Sequence, residues 1–146
     1  EYEKAQQFLN SSYAIAEKRD RYHTRNIDTQ QARLFLLTSM QESNSSKIFD
    51  GFSKAHNLLD KLDNDVYKYR QVDAYGEFYS SCYEKLSKQH KAAFLRACQK
   101  MEKSIEIAVS NKEINLAQQS SIKKTKEKLS SIINSIQQQI TEGANT

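Results

Sequence analysis

The chain contains no proline and only three glycines among its 146 residues. Proline removes a backbone donor and clashes inside a helix, and an interior glycine costs a helix about 1 kcal/mol. Their scarcity therefore permits long helices, whereas a β-sheet protein of this size needs more turn residues. The composition predicts an all-α fold.

Long hydrophobic runs are also absent. No apolar run reaches the roughly 18 residues that a membrane-spanning helix requires, and no signal-peptide pattern is visible. The chain begins with Glu1 rather than methionine. We therefore expect an excised or processed piece, with any membrane anchor or targeting signal outside it.

Cysteine is limited to Cys82 and Cys98. On one continuous helix their Cα atoms would lie about 24 Å apart at ~1.5 Å per residue, and a disulfide requires less than about 7 Å. The sequence predicts two buried free thiols. A chain that folds back near Ser87–His90 would let them meet and would contradict a continuous helix.

The stretch from Val72 to Ala108 dominates the pattern. Its apolar side chains recur at intervals of three and four, as on one face of a helix. Together with His90, which takes one position of the same stripe, they are Val72, Tyr75, Tyr79, Cys82, Leu86, Phe94, Cys98, Met101, Ile105 and Ala108. One helix over this stretch would be a rod of roughly 55 Å, so we expect neighbouring helices of similar length.

Two interpretations compete for the first 42 residues. Either one helix runs from about 2 to 42 with a polar middle, or two helices break near Asn26–Asp28 with Asp28 as the N-cap. The lack of glycine and proline there favours one helix. The Ser- and Asn-rich run that follows predicts a loop, with Ser45 or Ser46 capping the next helix.

The complete prediction is one domain over residues 1–146, an elongated, antiparallel, up-down-up-down four-helix bundle. Its helices are expected at about 2–42, 46–71, 73–109 and 111–142. Short connections place successive helices antiparallel.

Signatures of catalysis and metal binding are missing. His23, His56 and His90 stand about 33 residues apart, whereas metal sites show closely spaced ligand pairs. No Gly-x-Ser-x-Gly elbow or glycine-rich phosphate loop occurs. We expect a non-enzymatic protein with no metal and no cofactor.

The net charge of +4 and the isoelectric point of about 9.0 raise a role in binding nucleic acid or anionic lipid. The excess charge is spread thinly. Lys123, Lys124, Lys126 and Lys128 would fan over roughly 200° of a helix, which is typical of a solvated surface. We therefore do not expect nucleic acid as a partner, and binding that falls steeply with salt would be the sign of it.

Arginines concentrate in the polar middle of the first segment, at Arg19, Arg21, Arg25 and Arg33. The ordinary interpretation is a solvated face with local ion pairs. The functional one is a bundle midsection that holds an anionic ligand, because guanidinium groups pair well with carboxylates. The tyrosine-rich stretch after Val66 suits either packing at the end of the bundle or the wall of a binding site.

The layout resembles the helical-bundle extracytoplasmic sensor domains of bacterial chemoreceptors and sensor histidine kinases. The features that carry the resemblance are a long first helix with central arginines, the segment Gln31-Ala-Arg-Leu-Phe-Leu-Leu-Thr38, a polar break at Ser43–Ser46, and Val72-Asp-Ala-Tyr-Gly-Glu-Phe-Tyr79 opening a long third helix.

This resemblance implies a periplasmic ligand-sensing domain of a transmembrane receptor, anchored by segments outside the chain and dimerising through its first helix. A small, possibly anionic ligand would lie between helices, and the last helix would shift on binding. The implied ligand-binding residues are Arg21, Arg25 and Arg33, with Tyr75 and Tyr79 as walls.

The alternative is a structural or protein–protein interaction bundle, such as an adaptor, a secreted antigen or a secretion-system component, either secreted or cytoplasmic. It predicts a fully packed core and an exposed apolar strip, for which Leu34–Leu37 is the candidate.

Overall fold

The computed structural model describes residues 1–16, 21–62, 66–110 and 116–144, and all secondary structure within them is helical. The all-α prediction is thus confirmed for this part of the chain. The α-helices are α1 (Tyr2–Ala16), α2 (Arg21–Ser39), α3 (Ser45–Lys61), α4 (Val66–Val72), α5 (Ala74–Cys82), α6 (Lys88–Ser110) and α7 (Leu116–Ala144), and a 3-10 turn spans Tyr83–Lys85.

The predicted single helix over residues 2–42 is wrong, because α1 folds back along α2. The side-chain nitrogen Nε2 of Gln6 donates a hydrogen bond of 2.7 Å to the side-chain oxygen of Gln31. On one continuous helix these residues would be about 37 Å apart. The alternative prediction, a break near Asn26–Asp28, is also wrong in position, since those residues lie inside α2. The segment 17–20 lies outside the described residues.

The predicted continuous helix over residues 73–109 is wrong as well. Leu86 has extended backbone angles, φ −77° and ψ 146°, and the chain reverses there before α6 begins. The rings of Phe78 and Phe94 have centroids 5.5 Å apart, although one helix would separate these residues by about 24 Å. The apolar pattern continues across the reversal because α5 and α6 both face the same core.

The helix predicted over residues 46–71 is divided into α3 and α4. Leu62 leaves the helix with extended angles, and 63–65 lie outside the described residues. At the start of α3 the cap is Asn44 instead of Ser45 or Ser46. The side-chain oxygen of Asn44 accepts from the backbone N–H groups of Ser46 and Lys47 at 2.9 and 3.3 Å. For the last predicted helix, residues 111–115 are not described, and α7 extends to Ala144.

One hydrophobic core joins α2 through α7. Phe52 of α3 lies at its centre, with ring centroids 5.1 Å from Tyr75, 4.9 Å from Phe78 and 4.9 Å from Phe94. The apolar stripe predicted for the second half of the Val72–Ala108 stretch is confirmed. Its side chains in α6 are all fully buried, namely Phe94, Cys98, Met101, Ile105 and Ala108.

Contacts across the core define the helix directions. An ion pair of 2.9 Å joins Asp60 to Lys100 and aligns α3 with α6 in parallel, since Ser45 meets His90 at the other end. Lys126 pairs with Glu106 at 3.3 Å, and Ser130 donates to Glu102, so α6 and α7 are antiparallel. The described residues thus contain seven α-helices, more than the four that the sequence predicted.

Candidate functional site

A groove of about 490 Å³ lies where α1, α2 and α4 meet. Each of these helices contributes to its lining. The lining residues are Ala5, Phe8 and Leu9 from α1, Gln30, Arg33, Leu34 and Leu37 from α2, and Gln71 from α4. We call this the Arg33 groove.

Arg33 is the one cation among the lining residues of this groove. Its side chain is exposed, and no ion-pair partner for it occurs in the described part of the chain. The neighbouring leucines form an apolar wall. An unpaired guanidinium beside apolar side chains favours a ligand that carries both a negative charge and an apolar part.

Gln71 contributes an unsatisfied acceptor. Its side-chain oxygen is buried, yet no donor from the described residues reaches it. A buried polar atom without a partner costs about 1–3 kcal/mol. Because this oxygen has almost no accessible surface, the side chain would have to rotate before a water molecule or a ligand N–H group could reach it. Gln71 therefore adds a second polar feature to the site.

Hydrogen bonds between α1 and α2 hold the groove together. Gln6 and Gln31 exchange two amide hydrogen bonds, of 2.7 and 3.0 Å. About two turns further along α1, the hydroxyl of Tyr13 donates to Asp28 at 2.5 Å. Partial burial, reinforced by the Asp28 carboxylate, raises the pKa of Tyr13, so its hydroxyl remains a donor at neutral pH.

The five residues proposed from the sequence do not all come together. Arg33 lies in the groove, whereas Arg21 and Arg25 are in the first turns of α2 with side chains outside the described part of the structure. Tyr75 and Tyr79 are not among the residues that line the groove.

Tyr75 lies in the core. Its side chain is fully buried, and its hydroxyl is 2.9 Å from Nδ1 of His56. Burial raises the pKa of Tyr75 well above its usual range and lowers the pKa of His56. The pair thus stays neutral, and its role is to satisfy polar atoms inside the core.

Tyr79 links α5 to α7 instead. Its hydroxyl lies 2.9 Å from Oγ of Ser135 and accepts from the side-chain Nε2 of Gln139 at 3.1 Å. The side chain is half-buried and packs beside Tyr83, with ring centroids 5.0 Å apart. In this structure Tyr79 connects two helices.

The apolar strip suggested at Leu34–Leu37 is not exposed. Leu34 and Leu36 are buried, and Phe35 and Leu37 are partly buried. The strongly exposed apolar side chains of this region belong to α1, where Phe8 is 69% and Ile15 58% exposed. The sequence did not single out Phe8, Gln30 or Gln71 as candidates for the site.

Within the described residues, no cluster of three or more potential metal ligands of the His, Cys, Asp or Glu type is found. Across the same residues, no helix combines the length and the apolar character needed to cross a membrane.

Comparison with known proteins gives no match to a family model, to a curated protein or to a solved structure.

Proposed function

We propose that this chain is a non-enzymatic binding domain whose Arg33 groove holds a small carboxylate ligand with an apolar part. The observation that carries the proposal is Arg33, which is exposed, lies beside apolar side chains and has no ion-pair partner among the described residues. A guanidinium can donate two parallel hydrogen bonds to one carboxylate. The leucines and Phe8 would cover the rest of the ligand.

The size of the groove supports a small molecule. Its volume of about 490 Å³ falls within the roughly 300–1,000 Å³ typical of ligand sites. If the Gln71 side chain rotated towards the groove, its buried oxygen would accept from an N–H or O–H of the ligand, so a carboxylate that also carries a donor fits best.

A receptor role extends this proposal. In it the domain would be the periplasmic sensor of a transmembrane protein, with membrane anchors outside residues 1–146. The long first and third helices that suggested this role are divided in the structure, so the proposal rests on the groove alone. Because the groove is lined from α1, α2 and α4, ligand binding would act first on those helices and not on α7.

Thermal shift with a panel of organic and amino acids tests the binding proposal. A ligand at about 100 times its dissociation constant stabilises the folded protein by about 2.7 kcal/mol, which is a clear rise in melting temperature. We expect Arg33→Gln to abolish the rise. Arg96→Gln is the matched control, because Arg96 is an exposed arginine on α6 and should leave the rise intact.

Two results would contradict the proposal. Either no acid in the panel raises the melting temperature of the wild-type chain, or the Arg33→Gln variant binds as well as the wild type.

A second candidate function is protein–protein interaction through α1, including homodimer formation. The observation in its favour is the exposure of Phe8 and Ile15, at 69% and 58%, seven residues apart on one face of α1 as in helix–helix seams. Light scattering of wild type and Ile15→Ser separates the two functions, since Ile15 is exposed but does not line the groove. Loss of a dimer in this variant supports association through α1, and a monomeric wild type excludes the homodimer.

A further inference from the structure

The α1 helix is held more weakly than the other described helices of similar length. Among residues 1–15, Leu9 alone is buried. In α6, by comparison, five side chains have no exposed surface at all. Apolar burial supplies most of the stabilisation of a packed helix. Because α1 buries few apolar side chains, it gains little stabilisation from packing and adds little to the core.

The remaining attachment of α1 is polar. Among the described residues it consists of the reciprocal Gln6–Gln31 pair and the Tyr13–Asp28 hydrogen bond. Water can replace such bonds at small net cost when both groups become solvated. A 15-residue helix is also marginal in water on its own, so α1 would lose its helical structure when it leaves α2.

The hydrophobic core does not require α1. The buried cluster that joins α2 to α7 contains no α1 residue. The opening of α1 would therefore leave that cluster intact, and local opening of this kind is common in elements with few buried contacts.

We propose that α1 is a lid that detaches from α2 while α2 to α7 remain folded, so that the Arg33 groove exists only while α1 is docked. The proposal concerns regulation of the site and rests on the proposed function. Ala5, Phe8 and Leu9 form the α1 side of the groove. A ligand that contacts both sides would bind the docked state alone and shift the equilibrium towards it. Opening would expose Leu34 and Leu37 of α2.

Hydrogen exchange on the full 146-residue chain tests the lid without any ligand. We expect backbone amides of α1 to be at least about 100-fold less protected than those of α6, with a weaker dependence on low denaturant concentrations, because their exchange follows local opening. The Leu9→Ala variant should speed exchange in α1 by a further factor of about 10 or more and leave α6 unchanged.

Ile15→Ala provides the control. It truncates an exposed side chain on the same helix and should not alter exchange in α1 comparably. Equal protection of α1 and α6, with Leu9→Ala accelerating both alike, would show that α1 unfolds only with the whole domain. If exchange in α1 is fast and has the same rate in the wild type and in Leu9→Ala, Leu9 does not hold α1 against α2. Either result overturns the lid, and neither depends on whether the groove binds a carboxylate.

Discussion

Nδ1 of His56 and the hydroxyl of Tyr75 lie 2.9 Å apart in the packed centre of the protein. Phe52 contacts both rings, and the Asp60–Lys100 ion pair lies at the nearby surface. The two polar atoms satisfy each other where α3 meets α5. This hydrogen bond therefore fixes the position of α3 along α5 in addition to holding the two helices together.

Replacing Tyr75 with phenylalanine should destabilise the fold. The change keeps the ring but leaves the buried His56 nitrogen without its partner, which costs about 1–3 kcal/mol. Urea unfolding followed by circular dichroism measures the loss. Tyr79→Phe is the control, because the partners of Tyr79 are nearer to solvent, and its cost should stay below about 1 kcal/mol. Equal effects of the two changes would contradict a special role for the buried pair.

Stability should fall as the solution becomes more acidic through the histidine range. Burial lowers the pKa of His56, Lys100 and Lys68 lower it further, and the Asp60 carboxylate opposes them. The unfolded chain, in which histidine titrates near its usual value of about 6.5, thus binds a proton more readily than the folded one. The stabilisation is complete above that value and is lost as the pH falls towards the folded pKa.

Urea midpoints between pH 8 and pH 5 provide the measurement. The wild type should lose stability over this range, and His56→Gln should flatten the part of the profile near pH 6. His90→Gln is the comparison for the loss of a histidine as such, since His90 lies near the start of α6 and bonds Ser45 instead of Tyr75. A wild-type profile that rises towards acid pH would refute the assignment.

Periodicity revealed which residues are buried but not where the chain turns. The stripe from Phe94 to Ala108 was predicted correctly because a three-and-four pattern directly reports a buried helix face. The reversal at Leu86 was missed, since Tyr75 and Phe94 face one core from two antiparallel helices and preserve the same rhythm. The turn has no glycine or proline, and its local mark is Ser87, whose hydroxyl accepts from the backbone N–H of His90 and caps α6. One serine is a weak signal in a chain with many serines.

The candidate site was predictable only in part. Arg33 stood out in the sequence as one of the clustered arginines of the first segment. Its neighbours Phe8 and Gln71 come from 25 residues before it and 38 residues after it, and only the folding of α1 and α4 onto α2 unites them. A single sequence contains no signal for such tertiary proximity.

Gly51 should be the least replaceable glycine of the described chain. A Cβ atom added there would lie 2.6 Å from Cβ of Ser39 and 3.2 Å from the carbonyl oxygen of Phe35. Neither atom can move without the backbone of α2, so Gly51→Ala forces α2 and α3 apart at a cost of about 1–3 kcal/mol. This outweighs the gain of up to about 1 kcal/mol in helix propensity.

Gly76→Ala is the matched control for this test. A Cβ at Gly76 meets nothing within 4 Å, so only the propensity gain remains and stability should rise by up to about 1 kcal/mol. Thermal and urea unfolding of both variants would show opposite signs. A stabilised Gly51→Ala variant would mean that α2 and α3 are not in close contact there.

The two cysteines should resist both oxidation and labelling in the folded protein. Cys82 and Cys98 are buried and free, as the sequence predicted, even though the chain reverses between them. In the antiparallel pairing of α5 with α6, Cys98 lies near Tyr75, which is two helical turns from Cys82.

Burial also raises the pKa of both thiols, and the thiolate is the reactive form. A chromogenic disulfide reagent at pH 8 should therefore label the native chain at least about 100-fold more slowly than the urea-unfolded chain. Both thiols should still be found after aerobic storage, and rapid labelling or an intramolecular disulfide would show that α5 and α6 pack differently.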